Sequence, residues 1–411
     1  EGHPETEIAY MGCRTRVIGN TYDQGREVCN GRGNLSFTSI NLPRLAIDAN
    51  GNFNEFMIKL EDMMYRVFDQ LKDRFDIQCK RHVYNFPFLM GQGVWIDSEK
   101  LKPNDTLEKV LKHGTLSVGF VGLAEALKVL TGSHHGEDEK SAKLGRDIIG
   151  FMRTTCDMES ARTGLNYTLL ATPAESLAGR FLRLDKAKYG VIEGVTDHDY
   201  YTNSFHVPVY YPISYAKKID IEAPYHALTN AGHISYVELD GDAAKNPEAL
   251  EKIVRYMKGA GIGYGSINHP VDRDPVCGYN GIIGDICPKC GRKEGKVKFE
   301  RIRRITGYLV GTTARWNDAK KAEAQMKKVK ELQTQIDDLD KEIISIREER
   351  NGLRVKSESQ RLLLQNTFIE QNTARISLNA ARERLAEEEQ GYDSMKNEQA
   401  EIEEKILEIK T

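Results

Sequence analysis

Counted from Leu332, alternating steps of four and three residues give 23 positions ending at Ile409 without a break in register, and sixteen are apolar. At the chain-wide hydrophobic fraction of 40%, 23 positions would hold about nine. A strict 3.5-residue repeat of that length predicts a coiled coil, because only a helix with a partner along its seam can bury it. As one helix the stretch would run about 115 Å at 1.5 Å per residue. The polar exceptions concentrate at Arg350, Ser357, Gln360, Thr367 and Gln371. With Asn351-Gly352 beside them, a break or an antiparallel hairpin fits as well as one rod. Continuity of register through the polar centre favours self-association.

The part before this tail differs in kind. Aromatic residues and prolines are spread through residues 1–316 and nearly vanish afterwards. The net charge of −3 carries no basic excess, so direct nucleic-acid binding is not expected. No run of eighteen apolar residues exists, and no charged segment leads into an apolar one, so neither a membrane span nor a signal peptide is expected. The seven cysteines are odd in number and thinly scattered, unlike a secreted disulfide framework, which points to the cytoplasm. The first residue is Glu and motifs begin at once, so the chain reads as the C-terminal portion of a longer protein.

Local patterns predict the following elements. Leu35 to Leu42 alternates as a strand closed by Pro43, and residues 53–83 repeat apolar residues at spacings of three and four, as an amphipathic helix does. Residues 114–122 read as strand and turn, opening a helix at Leu123–Leu130. Residues 139–163 and 247–258 read as helices, Phe181–Lys186 and Tyr189–Val195 as short strands, and 263–268 as a strand. Alternation of this kind predicts an α/β architecture. At Ala171-Thr172-Pro173-Ala174-Glu175-Ser176, proline in the first turn and a preceding hydroxyl predict a capped helix N-terminus. Such an N-terminus can also hold phosphate, through Thr172, Ala174 and Ser176. His206 is expected to be a satisfied polar residue without a role, and Cys29, Cys79 and Cys156 to be structural.

Three cysteines cluster. Cys287-Pro-Lys-Cys290-Gly is an intact metal knuckle, whereas the partner knuckle has Cys277 but Asp274 where a cysteine would complete it. Structural zinc takes four ligands. His269 is preferred as the fourth, because imidazole is the commoner companion of three thiolates, with Asp274 as the alternative. Downstream lies Arg301-Ile-Arg-Arg-Ile-Thr-Gly-Tyr-Leu-Val310, centred on Gly307, and far upstream Tyr10-Met-Gly-Cys13-Arg.

In that order, a Met-Gly-Cys loop, a Cys-x₂-Cys knuckle and Arg-Ile-Thr-Gly-Tyr-Leu, the pieces resemble the anaerobic (class III) ribonucleoside-triphosphate reductases, which are glycyl-radical enzymes. The resemblance runs to about residue 322. It implies part of a ten-stranded α/β barrel with a zinc ribbon, followed by the unrelated coiled-coil tail. The implied domains are the finger loop and second half-barrel over 1–265, the zinc module over 266–298, the radical loop over 299–322 and the tail over 323–411.

It further implies that Gly307 stores a glycyl radical, that Cys13 becomes the thiyl, that Met11 neighbours it, and that Asn34 faces ribose or formate. Only glycine suits the flattened radical centre, since a Cβ would crowd it. The implied reaction is anaerobic reduction of ribonucleoside triphosphates for DNA synthesis, with formate as reductant. The implied partners are a radical S-adenosylmethionine activating enzyme bearing an iron–sulfur cluster, and a second copy in a homodimer. The competing readings are a non-catalytic coiled-coil assembly protein with a reductase remnant, and another glycyl-radical enzyme such as a formate-lyase or diol dehydratase. Those enzymes lack a zinc ribbon before the glycine.

Overall fold

The computed structural model describes residues 8–12, 14–239, 246–268, 271–305, 308–310 and 318–410. Two units are distinguished, residues 1–330 and 331–411.

The first unit is built from β-α-β crossovers. A short hairpin, β1 (Tyr10–Met11) and β2 (Thr15–Arg16), precedes β3 (Asn34–Asn41), α1 (Leu42–Asp48), α2 (Phe53–Cys79) and α3 (Glu108–Leu111). Then come β4 (Thr115–Val121), α4 (Leu123–Thr131), α5 (Glu139–Thr163), β5 (Asn166–Ala171), α6 (Glu175–Tyr189) and α7 (Tyr215–Leu228). They are followed by β6 (Ser235–Glu238), α8 (Pro247–Ala260) and β7 (Gly265–Asn268). Strands β3, β4 and β5 form a parallel sheet in that order, and β6 pairs in parallel with β7. A parallel bridge from Leu170 to Gly232, just ahead of β6, joins the two sheets at their edges.

Side-chain alternation gives the central sheet two unlike faces. On β4, Leu116, Val118 and Phe120 belong to the main apolar core, as do Tyr167, Leu169 and Ala171 on β5. The apolar stripe of α2 (Phe56, Leu60, Met64, Val67, Phe68, Leu71 and Phe75) and that of α5 (Ile148, Ile149, Met152) complete this core. Each such side chain, fully buried, contributes about 1.5–3 kcal/mol. The intervening residues Thr115, Ser117, Asn166 and Thr168 are polar and make the other face. Asn52 and Asp138 cap α2 and α5 by accepting from Glu55 N and Ser141 N.

The strands expected at 181–186 and 189–195 are a correction: Phe181–Lys186 lies inside α6, and residues 190–195 form no strand. The alternation there is accidental. Ala178, Leu182 and Asp185 are buried at helical spacing, while Leu184 stands exposed.

After β7 the chain forms a four-stranded sheet in the order β11-β10-β8-β9, from β8 (Val271–Arg273), β9 (Asn280–Gly281), β10 (Glu300–Ile305) and β11 (Tyr308–Val310). The final helix, α9 (Asp318–Lys410), runs without interruption through Asn351-Gly352, so no break or hairpin occurs there. One glycine costs a helix only about 1 kcal/mol, which neighbours such as Leu353 and Arg354 sustain. No helix among the described residues is long and apolar enough to cross a membrane.

Candidate functional site

Cys13 lies outside the described residues, but both sides of its loop are placed. Tyr10 pairs with Arg16 and Met11 with Thr15 across the β1-β2 hairpin. This hairpin is strapped to the body: Arg16 N donates to Ala231 O at 2.7 Å, and Thr15 bridges Gly232. A Cβ on Gly232 would fall 1.9 Å from the Arg14 carbonyl oxygen, so close approach requires glycine there. Arg14 is fully buried and donates to the carbonyls of Ala171 (3.5 Å) and Thr172 (3.4 Å) at the end of β5.

A buried polar chain backs the hairpin. Tyr10 Oη lies 3.1 Å from His233 Nε2, and its ring stacks on Tyr264 with centroids 4.4 Å apart. His226 lies beside His233 and bonds Ser235 Oγ (2.9 Å), which donates to Glu222 (2.7 Å). Burial pushes the His226 and His233 pKa values down, to about 3 and about 2. Both imidazoles are therefore neutral. Burial opposes charge on Glu222, but Lys218 at 2.8 Å and His206 at 3.4 Å outweigh it and hold its carboxyl below the usual range. His206, given no role in the sequence, thus flanks a buried carboxylate. Of this chain only Tyr10 had a visible signal, its place next to Met-Gly-Cys.

Asn34 opens β3, and its amide nitrogen donates to Thr115 Oγ1 (3.1 Å) and to Ser117 Oγ on the polar face of β4. Ser117 Oγ in turn bonds Thr168 Oγ1 at 2.9 Å. The amide is held by the sheet, with its oxygen outside those bonds. Met11 is half-buried on β1.

At the far end of the sheet, the expected cap of α6 is corrected. Thr172 is buried and its hydroxyl bonds Ser39 Oγ (2.8 Å), while Ala174 N donates to Asn203 Oδ1 (2.9 Å). The residue before the helix, Ala174, makes no side-chain cap, and Asn203, remote in sequence, holds its backbone N–H instead. Ala174 is buried and Ser176 exposed, so the three residues do not present one surface.

The cysteine cluster assembles. Ligand atoms of Asp274, Cys277, Cys287 and Cys290 all lie within 4.8 Å of one another. Cys277 Sγ and Cys290 Sγ are each 3.3 Å from Asp274 Oδ2, and Cys277 Sγ is 3.5 Å from Cys287 Sγ. The two turns match: Gly278 N donates to Asp274 O (2.8 Å) and Gly291 N to Cys287 O (2.9 Å). Both glycines are left-handed, with φ of +71° and +72°. Asp274 thus occupies the position in its turn that Cys287 holds in the other. The Arg292 guanidinium donates to it at 2.6–2.8 Å and holds its carboxyl well below the usual range. His269 lies outside the described residues. The three thiols and a carboxylate, gathered around one point, fit the ligand set of a tetrahedral zinc.

Gly307 also lies outside the described residues, but its flanks are placed. Strand β10 ends at Ile305, β11 begins at Tyr308, and these two residues pair with each other. Strand β10 also pairs with β8, Glu300 facing Arg273, and β8 leads directly into Asp274.

Fold and site define an α/β protein of parallel crossover units with a satellite thiol–carboxylate cluster. The family model described as anaerobic ribonucleoside-triphosphate reductase matches residues 1–329. The anaerobic ribonucleoside-triphosphate reductase of Salmonella typhimurium is 34% identical over 330 residues, covering 78% of this chain and 46% of that protein. That of Enterobacteria phage T4 is 35% identical over 334 residues, covering 79% of this chain and 53% of the relative. Among solved structures, the anaerobic ribonucleotide reductase from Thermotoga maritima in complex with dATP and CTP superposes with a TM-score of 0.54 at 18% identity. That match covers 72% of this chain and 45% of the other. The chain belongs to the anaerobic ribonucleoside-triphosphate reductase family, and it spans about half the length of the curated relatives it matches. This goes against its being another kind of glycyl-radical enzyme.

Proposed function

We propose that this chain carries the radical-bearing part of an anaerobic ribonucleoside-triphosphate reductase. Gly307 stores the radical and takes a hydrogen atom from the Cys13 thiol. The resulting thiyl takes the 3′ hydrogen of the ribose and later returns one. The 2′ hydroxyl leaves as water, and formate, oxidised to carbon dioxide, supplies the two electrons. Asn34, its amide hydrogens engaged by Thr115 and Ser117, offers its oxygen to a ribose hydroxyl or to protonated formate. Met11 lines the same loop. The observation that supports this reading best is the strapping of the β1-β2 hairpin, whose strands flank position 13 in the sequence, onto the sheet by Arg14, Arg16 and Gly232.

In this reading β3 to β7 are five parallel strands of a ten-stranded barrel. The triphosphate lies near the start of α6, where exposed Ser176 is the residue open to it and the buried Thr172 and Ala174 shape the turn beneath. The solved relative from Thermotoga maritima is complexed with dATP and CTP, which fits a nucleotide role. Zinc would be held by Cys277, Cys287, Cys290 and Asp274, with His269 as the competing fourth ligand. Its part is structural, clamping the turn that follows β8 beside the strand leading to Gly307. A cytoplasmic setting, a radical S-adenosylmethionine activating enzyme and a homodimer complete the reading.

The test is electron paramagnetic resonance on the anaerobically activated protein. A glycyl doublet should appear, and Cys13→Ser should keep it while abolishing reduction of ribonucleoside triphosphates. The same doublet in Gly307→Ala, or turnover retained in Cys13→Ser, would sink the assignment.

A further inference from the structure

The second unit consists, among the described residues, of one helix, so its seam finds no partner within that unit. The large apolar seam residues from Leu332 to Ile402 are 44–71% exposed. We propose that the tail pairs with a second copy of this chain as a parallel, in-register, two-stranded coiled coil. This rests on the coiled-coil reading of the tail and not on the radical chemistry of the first unit.

The seam itself argues against folding back. A hairpin at Asn351-Gly352 would set Ile336 against Thr367, Ile343 against Gln360 and Ile346 against Ser357. Each such layer buries an aliphatic side chain against an amide or hydroxyl that lacks a partner. In a parallel pair every seam residue meets its own counterpart instead. The apolar layers then stack on one another, and five of the seven polar ones fall together between Arg350 and Gln371. Glu388 and Gln399 lie beyond them, and Arg350 and Glu388 each meet their own charge, a cost the apolar layers must outweigh. Isoleucine at Ile336 and Ile343, alternating with leucine at Leu332 and Leu339, is also the arrangement that favours two parallel strands.

The residues flanking the seam choose the orientation. In a parallel pair a residue just before one seam position faces the residue five further on in the other copy. Glu342 then meets Arg347, Glu349 meets Arg354, Glu370 meets Arg375 and Arg384 meets Glu389 of the second copy. Leu363, 67% exposed, meets Phe368, 64% exposed, and adds apolar cover where the seam is most polar. Three like-charged meetings oppose these, Lys356 with Arg361, Glu398 with Glu403 and Lys405 with Lys410. The antiparallel pair of fullest overlap would gain Arg350 against Glu388 on the seam, and Arg347 against Glu389 and Asp340 against Lys396 beside it. However, it sets each flanking row against itself: Arg354 against Arg382, Arg361 against Arg375, Glu342 against Glu398. Exposed pairs are individually weak, so they select orientation while the apolar layers supply affinity.

Charge reversal in the full chain tests this. Ile336→Asp/Ile343→Asp, which breaks the seam, gives the baseline self-association in sedimentation equilibrium, and the native chain should associate more tightly than it, whether or not the first unit also pairs. Glu342→Lys/Glu349→Lys and Arg347→Glu/Arg354→Glu should each lower self-association by about tenfold or more. Mixed together, the two variants should recover native affinity as a heterodimer, since every reversed pair is again complementary. A native chain that associates no more tightly than this variant would overturn the proposal. So would undiminished self-association of both charge variants with no preference for each other, the result expected of an antiparallel pair.

Discussion

Helices α5 and α9 share one grammar and differ in outcome. Both repeat apolar residues at spacings of three and four. In α5 Ile148, Ile149, Met152 and Cys156 are wholly buried, whereas in α9 Ile343 is 44% and Leu364 71% exposed. Helix α5 is followed by β5, and its stripe packs in one core with that strand, β4 and α2. Helix α9 has only itself in its unit. The repeats differ accordingly: the stripe of α5 broadens to adjacent residues, as with Ile148 and Ile149, while α9 keeps a narrow seam at strict 3.5-residue spacing. A broad stripe suits a sheet, and a narrow one suits a single helix.

The contrast can be broken at several levels. The largest effect should come from metal. One zinc per chain is expected, and its removal should loosen the β8-β10 sheet while leaving the helicity of residues 331–411 unchanged. Metal analysis should show it lost in Asp274→Ala and kept in His269→Ala; the reverse would move the fourth ligand to His269. Next, Ile149→Ala in the body should cost about 2–5 kcal/mol, because a cavity is left in a filled core. Leu364→Ala in a dilute, unpaired tail should change stability by less than about 0.5 kcal/mol. Equal losses in chemical denaturation would mean that the tail is already packed.

Acid separates the two units more gently. All ten histidines precede residue 331. Burial lowers His135, His226 and His233 to about 4, 3 and 2, below the ordinary value near 6.5. The unfolded chain therefore binds more protons, and their contribution is complete above about pH 6.5 and lost as pH falls toward the folded values. Denaturation midpoints of the body should fall between pH 6.5 and 5.5, and His226→Gln should flatten that slope. The helical signal of the tail should hold across the same window. The smallest effect concerns Gly352, where an added Cβ meets nothing within 4 Å. Gly352→Ala should stabilise the tail by up to about 1 kcal/mol if the helix runs through, and destabilise it if a turn forms there.

The sequence by itself determined the periodic elements: β3, β4, α4, α5, α8 and the continuous seam of the tail. It also determined the order of the thiol loop, the knuckles and the glycine, because each of those signals is confined to a few adjacent residues. It misled at 181–186, where alternation over six residues cannot be told from one face of a helix. What only the tertiary structure decided is who meets whom at a distance. Asn203, not Thr172, serves the start of α6 across 29 residues. Tyr10 reaches His233 across 223. Asp274 joins three thiols because two turns far apart in the loop fold alike. Such partners are chosen by packing, and a buried polar group takes whichever complement the fold brings within reach, which no local pattern records.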